Sequence, residues 1–228
     1  MLTPDTFVRA PLPGMVNATA IVHVSPAVGA KFTQYTAEFE PDGSLGPTEA
    51  QRFIYVIEGD VVIEGDAAGG HLGPEEFVYV PAGMPLAVRA ETRARAAVIE
   101  KPFQPLAGFA APEVFRGDEN AIASNPFAAD PDLRVRLLIP EGPSFDFAVN
   151  TMTFQPGAAL PLVEIHVMEH GLLMLAGGGI YRLGENWYPV TKGDFIWMAP
   201  YCPQWFGALG KTPAKYLLYK DFNRNPLC

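Results

Sequence analysis

The apolar positions of this chain fall in short runs separated by Gly, Pro and polar turn residues. AIVHV (Ala20–Val24), FTQYTAEF (Phe32–Phe39), FIYVIEG (Phe53–Gly59) and EFVYVPAG (Glu76–Gly83) occupy the first half. RVRLLI (Arg134–Ile139), FAVNTMTF (Phe147–Phe154), GLLMLAGG (Gly171–Gly178), DFIWMAP (Asp194–Pro200) and AKYLLYKDF (Ala214–Phe222) occupy the second. Thr, Val, Ile and Tyr are frequent in them, residues that suit a pleated, half-buried surface, and FTQYTAEF shows the alternation of a strand. No segment sustains a long helical period. Short strands at regular spacing with turn signals between them predict an all-β protein, a sandwich or a barrel.

The same order of segments occurs twice. RFIYVIEGDVVIEG (Arg52–Gly65) lies against HGLLMLAGGGIYRLG (His170–Gly184), with Arg52 opposite His170 at a shift of 118. EEFVYVPAGMPL (Glu75–Leu86) lies against GDFIWMAPYCPQ (Gly193–Gln204) at the same shift of 118. FEPDG at Phe39 meets FQPGA at Phe154 at a shift of 115, and Lys101 meets Lys220 at 119. Four matches in one order indicate two homologous domains of a typical small-domain size. The expected boundaries are 1–110 for the first domain and 133–228 for the second. Residues 111–132, polar and turn-rich with no sustained period, would form the linker region.

Composition narrows the class. The 228 residues are 49% hydrophobic and 18% charged, a globular balance with enough length for substantial cores. A net charge of −9 argues against nucleic acid and anionic membrane surfaces as partners. No apolar run approaches a membrane span, and the start lacks a basic segment followed by an apolar one. A cytoplasmic protein is therefore expected. Two cysteines, Cys202 and Cys228, make no disulfide framework.

Chemistry concentrates in PLVEIHVMEHGLLMLAGGGIY (Pro161–Tyr181), which holds two of the four histidines of the chain. HVMEH fits the inverted zinc-peptidase pattern, in which a helix would put His166 and His170 on one face with Glu169 as base. Pro161, Gly171 and the glycines at 177–179 argue against that helix. On strands, even spacing puts Glu164 and His166 on one face, with His170 joining if the strand continues or bends. Glu169, at odd spacing, would point away. A neighbouring strand would supply the fourth ligand, and Gln204 in APYCPQW is the candidate. One carboxylate, two imidazoles and an amide oxygen suit Mn²⁺ or Fe²⁺ better than thiol-bound zinc. The bland alternative is a pair of hydrogen-bonded core histidines. The matching first-half positions, Gly46, Thr48, Arg52 and Leu86, include no usual metal ligand beyond a weak Thr, so only the second domain would hold a metal.

These residues resemble the cupin superfamily. GAALPLVEIHVMEHGLLMLAG is similar to its first motif with the ligands reordered as E-x-H-x-x-x-H, and GDFIWMAPYCPQ to its second, with Gln204 near the place of the last histidine. The closer resemblance is to the (S)-ureidoglycine aminohydrolase family of purine and allantoin catabolism. It extends through GGIYRLGENWYPVTKGDFI and LYKDFNR and is densest from Phe147 to Arg224. The resemblance implies a bicupin, two tandem jelly-roll barrels (double-stranded β-helices). It implies a Mn²⁺-dependent hydrolase acting on a C–N bond of a linear ureido compound, releasing ammonia from ureidoglycine to give (S)-ureidoglycolate. Glu164, His166, His170 and Gln204 would hold Mn²⁺ or another divalent first-row metal. Tyr181, Tyr216 and Lys220 would line the substrate, Lys220 pairing with its carboxylate and the tyrosine hydroxyls bonding its ureido group. Glu164 and Lys220 would serve catalysis. The three glycines at 177–179 exceed what the resembled pattern needs. A homo-oligomer is expected, since cupins commonly assemble through sheet edges. The competing classes are another metal-dependent cupin enzyme, such as a dioxygenase or isomerase, and a non-catalytic small-acid-binding cupin.

Overall fold

The computed structural model describes residues 1–65 and 68–224. Its regular structure is strands, with three single turns of 3₁₀ helix among the described residues. No helix in them is long and apolar enough to cross a membrane. Two compact units form, one from Phe7–Ala121, the other from residue 122 onward together with Met1–Thr6.

The first unit contains β1 (Arg9–Ala10), β2 (Met15–Val24), β3 (Thr33–Leu45), β4 (Gln51–Glu58), β5 (Val61–Glu64), β6 (Gly70–Leu72), β7 (Glu76–Val80), β8 (Ala87–Ala90), β9 (Ala94–Lys101) and β10 (Phe115–Asp118). They pair in the order β10-β7-β4-β9-β3-β8-β5-β6, with β2 on β3 and β1 on β2. Val, Ile, Leu and Ala from these strands fill one apolar core.

The second unit contains β11 (Asn125–Phe127), β12 (Asp130–Leu137), β13 (Phe147–Phe154), β14 (His170–Ala176), β15 (Gly178–Leu183), β16 (Asn186–Thr191), β17 (Phe195–Met198), β18 (Gln204–Ala208) and β19 (Ala214–Asp221). One sheet runs β11-β12-β13-β19-β14-β17 and the other β16-β15-β18. Residues from both sheets, including Met152, Leu172, Ile196, Phe206 and Leu218, share one core, as in a jelly roll closed by face-to-face packing. Leu2 exchanges backbone hydrogen bonds with Phe195, which ties the first residues of the chain to this unit.

Two boundaries differ from expectation. Residues 111–132 are not mainly a linker: β10 and β11 lie within them and β12 begins there. There β10 pairs with β7, β11 with β12 and β12 with β13, so tertiary pairing supplies an order that local periodicity lacks. The first six residues also belong to the second unit and not the first. Cys228 lies outside the described residues, and Cys202 is a half-buried free thiol.

Strand register corrects one part of the internal alignment. His170 pairs with Lys220 across β14 and β19. Arg52, the counterpart of His170, pairs with Glu100 across β4 and β9. Glu100, and not Lys101, therefore holds the place of Lys220. Lys101 pairs with Gln51 and, one residue along the strand, turns its side chain to the opposite face. The same register puts Ala96 in the place of Tyr216.

The glycines at 177–179 are all required, against the expectation of an excess. A Cβ on Gly177 would lie 2.4 Å from the Pro213 carbonyl oxygen, and one on Gly178 2.4 Å from that of Val190. At Gly179 it would lie 2.1 Å from the Gly207 oxygen and 2.7 Å from the Phe206 ring. Backbone on these neighbouring strands cannot yield as a flexible side chain can. Gly179→Ala is expected to destabilise the second unit by about 3 kcal/mol, near the upper end of typical overpacking costs. Gly142→Ala, where a Cβ meets nothing within 4 Å, is the control. Thermal unfolding of both variants checks this, and equal midpoints would refute it.

Candidate metal centre

All seven residues singled out in the sequence, Glu164, His166, His170, Tyr181, Gln204, Tyr216 and Lys220, line one cavity of about 310 Å³ inside the second unit. Their carriers differ from the simple strand picture. Only His170, at the start of β14, belongs to a continuous strand of the Pro161–His170 stretch. Glu164 forms an isolated bridge to Gln204, and residues 165–169 are irregular. The stretch is not helical, in keeping with Pro161 at its start and the glycines that follow it.

The bridge carries information. Glu164 N–H donates to the Gln204 carbonyl at 2.8 Å and Gln204 N–H returns a bond to Glu164 at 3.0 Å. Residues directly opposed in an antiparallel pair project to one face about 5 Å apart, so a loop residue and a β18 residue distant in sequence share one wall.

The histidines meet. His170 Nε2 is 3.0 Å from His166 Nε2, and Gln204 Nε2 is 2.9 Å from the same atom. His166 Nδ1 faces the Met168 carbonyl at 3.2 Å. A carbonyl only accepts, so Nδ1 carries the proton and Nε2 presents a lone pair to the cavity, the tautomer that ligates metals. Burial, with the nearby His166 and Lys220, holds His170 down to about 3, which keeps its imidazole neutral. Tyr181 OH donates to Gln204 Oε1 at 2.9 Å and fixes that amide.

The donor set fits a divalent first-row cation. Two imidazole nitrogens each about 2.1 Å from one metal in a cis arrangement stand about 3 Å apart, which matches the His166–His170 contact. Gln204 would ligate through its amide oxygen, which also accepts from Tyr181. Among the described residues no three His, Cys, Asp or Glu side chains cluster tightly enough to make a site by themselves. The amide of Gln204 is what completes the touching set. Glu164 stands on the same wall, and burial raises its carboxyl above the usual range while His166 and Lys220 pull it down.

The remaining groups divide by partner. Tyr181 and Tyr216 are each 2% exposed, and burial lifts both far above the usual phenol range, so they stay protonated. Tyr181 also reaches the Met198 sulfur, and Tyr216 OH donates to the Met152 sulfur at 3.2 Å. Their protons are thus used within the protein, and Tyr181 positions Gln204. Lys220 has no hydrogen bond or ion pair among the described residues. Its ammonium sits 5.2 Å from the Phe222 ring centre, and burial lowers its pKa against the pull of Glu141 and Glu164. A half-buried cation facing a cavity is a receptor for an anionic group. Glu169 is 1% exposed and accepts from Trp197 Nε1 at 3.1 Å, outside the cavity.

Sequence reasoning passed over Asn150 and Glu141, which also line the cavity. Asn150 had a signal: a residue unfavourable in strands inside the apolar FAVNTMTF.

The corresponding place in the first unit is filled from within. Arg52, 3% exposed, reaches Glu100 Oε1 through Nε at 2.8 Å and Nη2 at 2.7 Å, and the Gly46 carbonyl through Nη1 at 2.8 Å. Tyr35 OH also donates to Glu100 at 3.0 Å. A guanidinium thus stands at the His170 position and bonds the backbone at the Glu164 position.

Comparison with known proteins agrees with this architecture. The Cupin domain family matches residues 150–219. The chain is 40% identical to the probable (S)-ureidoglycine aminohydrolase of Oryza sativa subsp. japonica, covering 100% of this chain and 74% of that protein. It is 39% identical to the (S)-ureidoglycine aminohydrolase of Arabidopsis thaliana, covering 100% and 76%. The crystal structure of protein Ylba from Escherichia coli superposes with a TM-score of 0.86 at 28% identity, over 98% of this chain and 90% of that one. With two jelly-roll units and full-length similarity of this degree, the chain belongs to the (S)-ureidoglycine aminohydrolase family, within the bicupins.

Proposed function

We infer that this protein is a metal-dependent (S)-ureidoglycine aminohydrolase: water replaces the amine on the substrate's central carbon, releasing ammonia and forming (S)-ureidoglycolate. The observation that carries this reading is the convergence of His166, His170 and Gln204 beside Glu164 and the unpaired Lys220 in one cavity. Glu164, His166, His170 and Gln204 would hold Mn²⁺ or a similar divalent ion. When bound, such a cation supplies Lewis-acid stabilisation of charge that develops as the amine leaves.

The chain's own groups account for the rest. Lys220 pairs with the substrate carboxylate and orients the molecule by one end. Tyr181 holds Gln204 in place through its hydroxyl. Leu160, Met152 and Leu218 form apolar wall that limits water to the reacting position. Glu164, whose carboxyl burial makes more basic, moves a proton between water and the departing amine. The reading includes assembly into a homo-oligomer and a cytoplasmic location.

The test is anaerobic turnover of ureidoglycine by metal-analysed protein. Ammonia release with stereospecific (S)-ureidoglycolate is expected. Racemic product at the uncatalysed rate would overturn the reading, and oxygen uptake would favour a dioxygenase. Glu164→Gln is expected to lower turnover by about 10²-fold or more, as loss of a general base does, while metal content falls far less. Equal losses in both would reduce Glu164 to a ligand.

A further inference from the structure

Asn150 lies in the middle of β13, opposite Leu137 on β12 and Leu218 on β19, and lines the cavity. It is 5% exposed, and its Oδ1 is buried without a hydrogen-bond partner. Among the described residues nothing bonds its amide nitrogen either. An amide placed between two leucines and left unpaired is unfavourable for the fold, since a buried carbonyl normally finds a partner. A leucine would suit that wall better.

The first unit shows what this position does when nothing enters. Tyr35 is the counterpart of Asn150 by both sequence shift and register, pairing with Val98 as Asn150 pairs with Leu218. Its hydroxyl is satisfied by Glu100, which holds the place of Lys220. There the two positions bond each other. In the second unit the same two positions carry an amide and an ammonium, and among the described residues neither side chain has a hydrogen-bond or ion-pair partner.

Asn150 and Lys220 are diagonal neighbours on one face, because Ala148 and not Asn150 pairs with Lys220. Diagonal positions stand about 7–8 Å apart, a span for a small molecule with a carboxylate at one end and a planar amide or urea at the other. A carboxamide offers one acceptor and two donors in a plane, and a urea offers the complement. Either orientation of the Asn150 amide gives a donor–acceptor pair.

We propose that Asn150 is a specificity-determining residue, recognising the planar ureido group of the substrate by paired amide hydrogen bonds while Lys220 holds its carboxylate. The proposal deepens the aminohydrolase reading and rests on it for the identity of the substrate. Its test uses two unreactive probes and calorimetry on metal-loaded protein. N-carbamoylglycine carries the ureido group; N-acetylglycine replaces its terminal amino group with methyl.

The wild type is expected to bind N-carbamoylglycine about tenfold more tightly or better, the worth of one hydrogen bond at a matched site. Asn150→Leu is expected to abolish that preference while unfolding at an equal or higher temperature. A merely structural asparagine would instead lower the unfolding temperature and leave the preference. If the leucine variant does not fold, Asn150→Gln, which displaces the amide by one methylene, must lose the preference as well. Equal binding of the two probes by the wild type, or a preference kept by the variants, overturns the proposal. If the preference is present and depends on Asn150 but ureidoglycine is not turned over, the activity reading fails and the proposal stands.

Discussion

His170→Ala is expected to lose its metal and to lower turnover of ureidoglycine by about 10³-fold or more. His170 begins β14, and its register fixes it between Met198 on β17 and Lys220 on β19. Its ring nitrogen faces that of His166 at 3.0 Å. It is 4% exposed. On the proposed reading, removing one nitrogen donor would leave His166, Gln204 and Glu164, too few to hold a divalent ion tightly against water. The proposed stabilisation of developing charge would disappear with the metal, and several kcal/mol of barrier corresponds to a thousandfold or more in rate. Elemental analysis and turnover are measured on the same preparation, with circular dichroism to show that the barrel is intact. Full metal content in an inactive variant would mean that His170 acts on substrate and not on metal.

Arg52→Met is expected to destabilise the first unit by about 3 kcal/mol. The Arg52–Glu100 pair is an interior one, with side chains 4% and 20% exposed. Removing one partner of such a pair typically costs 3–5 kcal/mol, because the other charge is left without compensation. The lower end applies, since Glu100 keeps some contact with solvent. Replacing both, Arg52→Met with Glu100→Leu, is expected to recover most of the loss, because an apolar pair of similar volume needs no compensation. Calorimetric unfolding of wild type, single and double variants forms the test. A double variant as unstable as the single one would show that the Gly46 and Tyr35 bonds, and not the ion pair, hold the strand ends together.

The two predictions treat one position in two copies of a fold. In the first unit a fixed guanidinium closes the interior against any ligand. In the second, neutral imidazoles, an amide and an unpaired ammonium leave it ready for a cation and an anion.

Much of the fold was legible because strand signals and turns recur locally. Phe39, Phe77, Phe154 and Phe195 stand in apolar runs that any pleated surface needs, and their repetition at nearly constant shift identifies two copies. The region 111–132 was not legible, since β10 and β12 are ordered by partners elsewhere in the chain and carry no period of their own. The ligand candidates were legible from residue type and spacing. Their carriers were not, because even spacing suggests a strand where Glu164 makes only a single bridge.

The sequence by itself determined the strand-rich class, the duplication and the set of chemically able residues, since these depend on side-chain type and short-range order. The tertiary structure decided which of them meet. Register made Glu100 the counterpart of Lys220, a difference of one residue that turns a side chain to the other face. Pairing of Glu164 with Gln204, 40 positions apart, put a loop carboxylate beside a β18 amide. Burial settled protonation, keeping His170 neutral and both tyrosines intact. Asn150 became conspicuous only when the wall around it proved apolar and its carbonyl unpaired, a property of packing that no local pattern encodes.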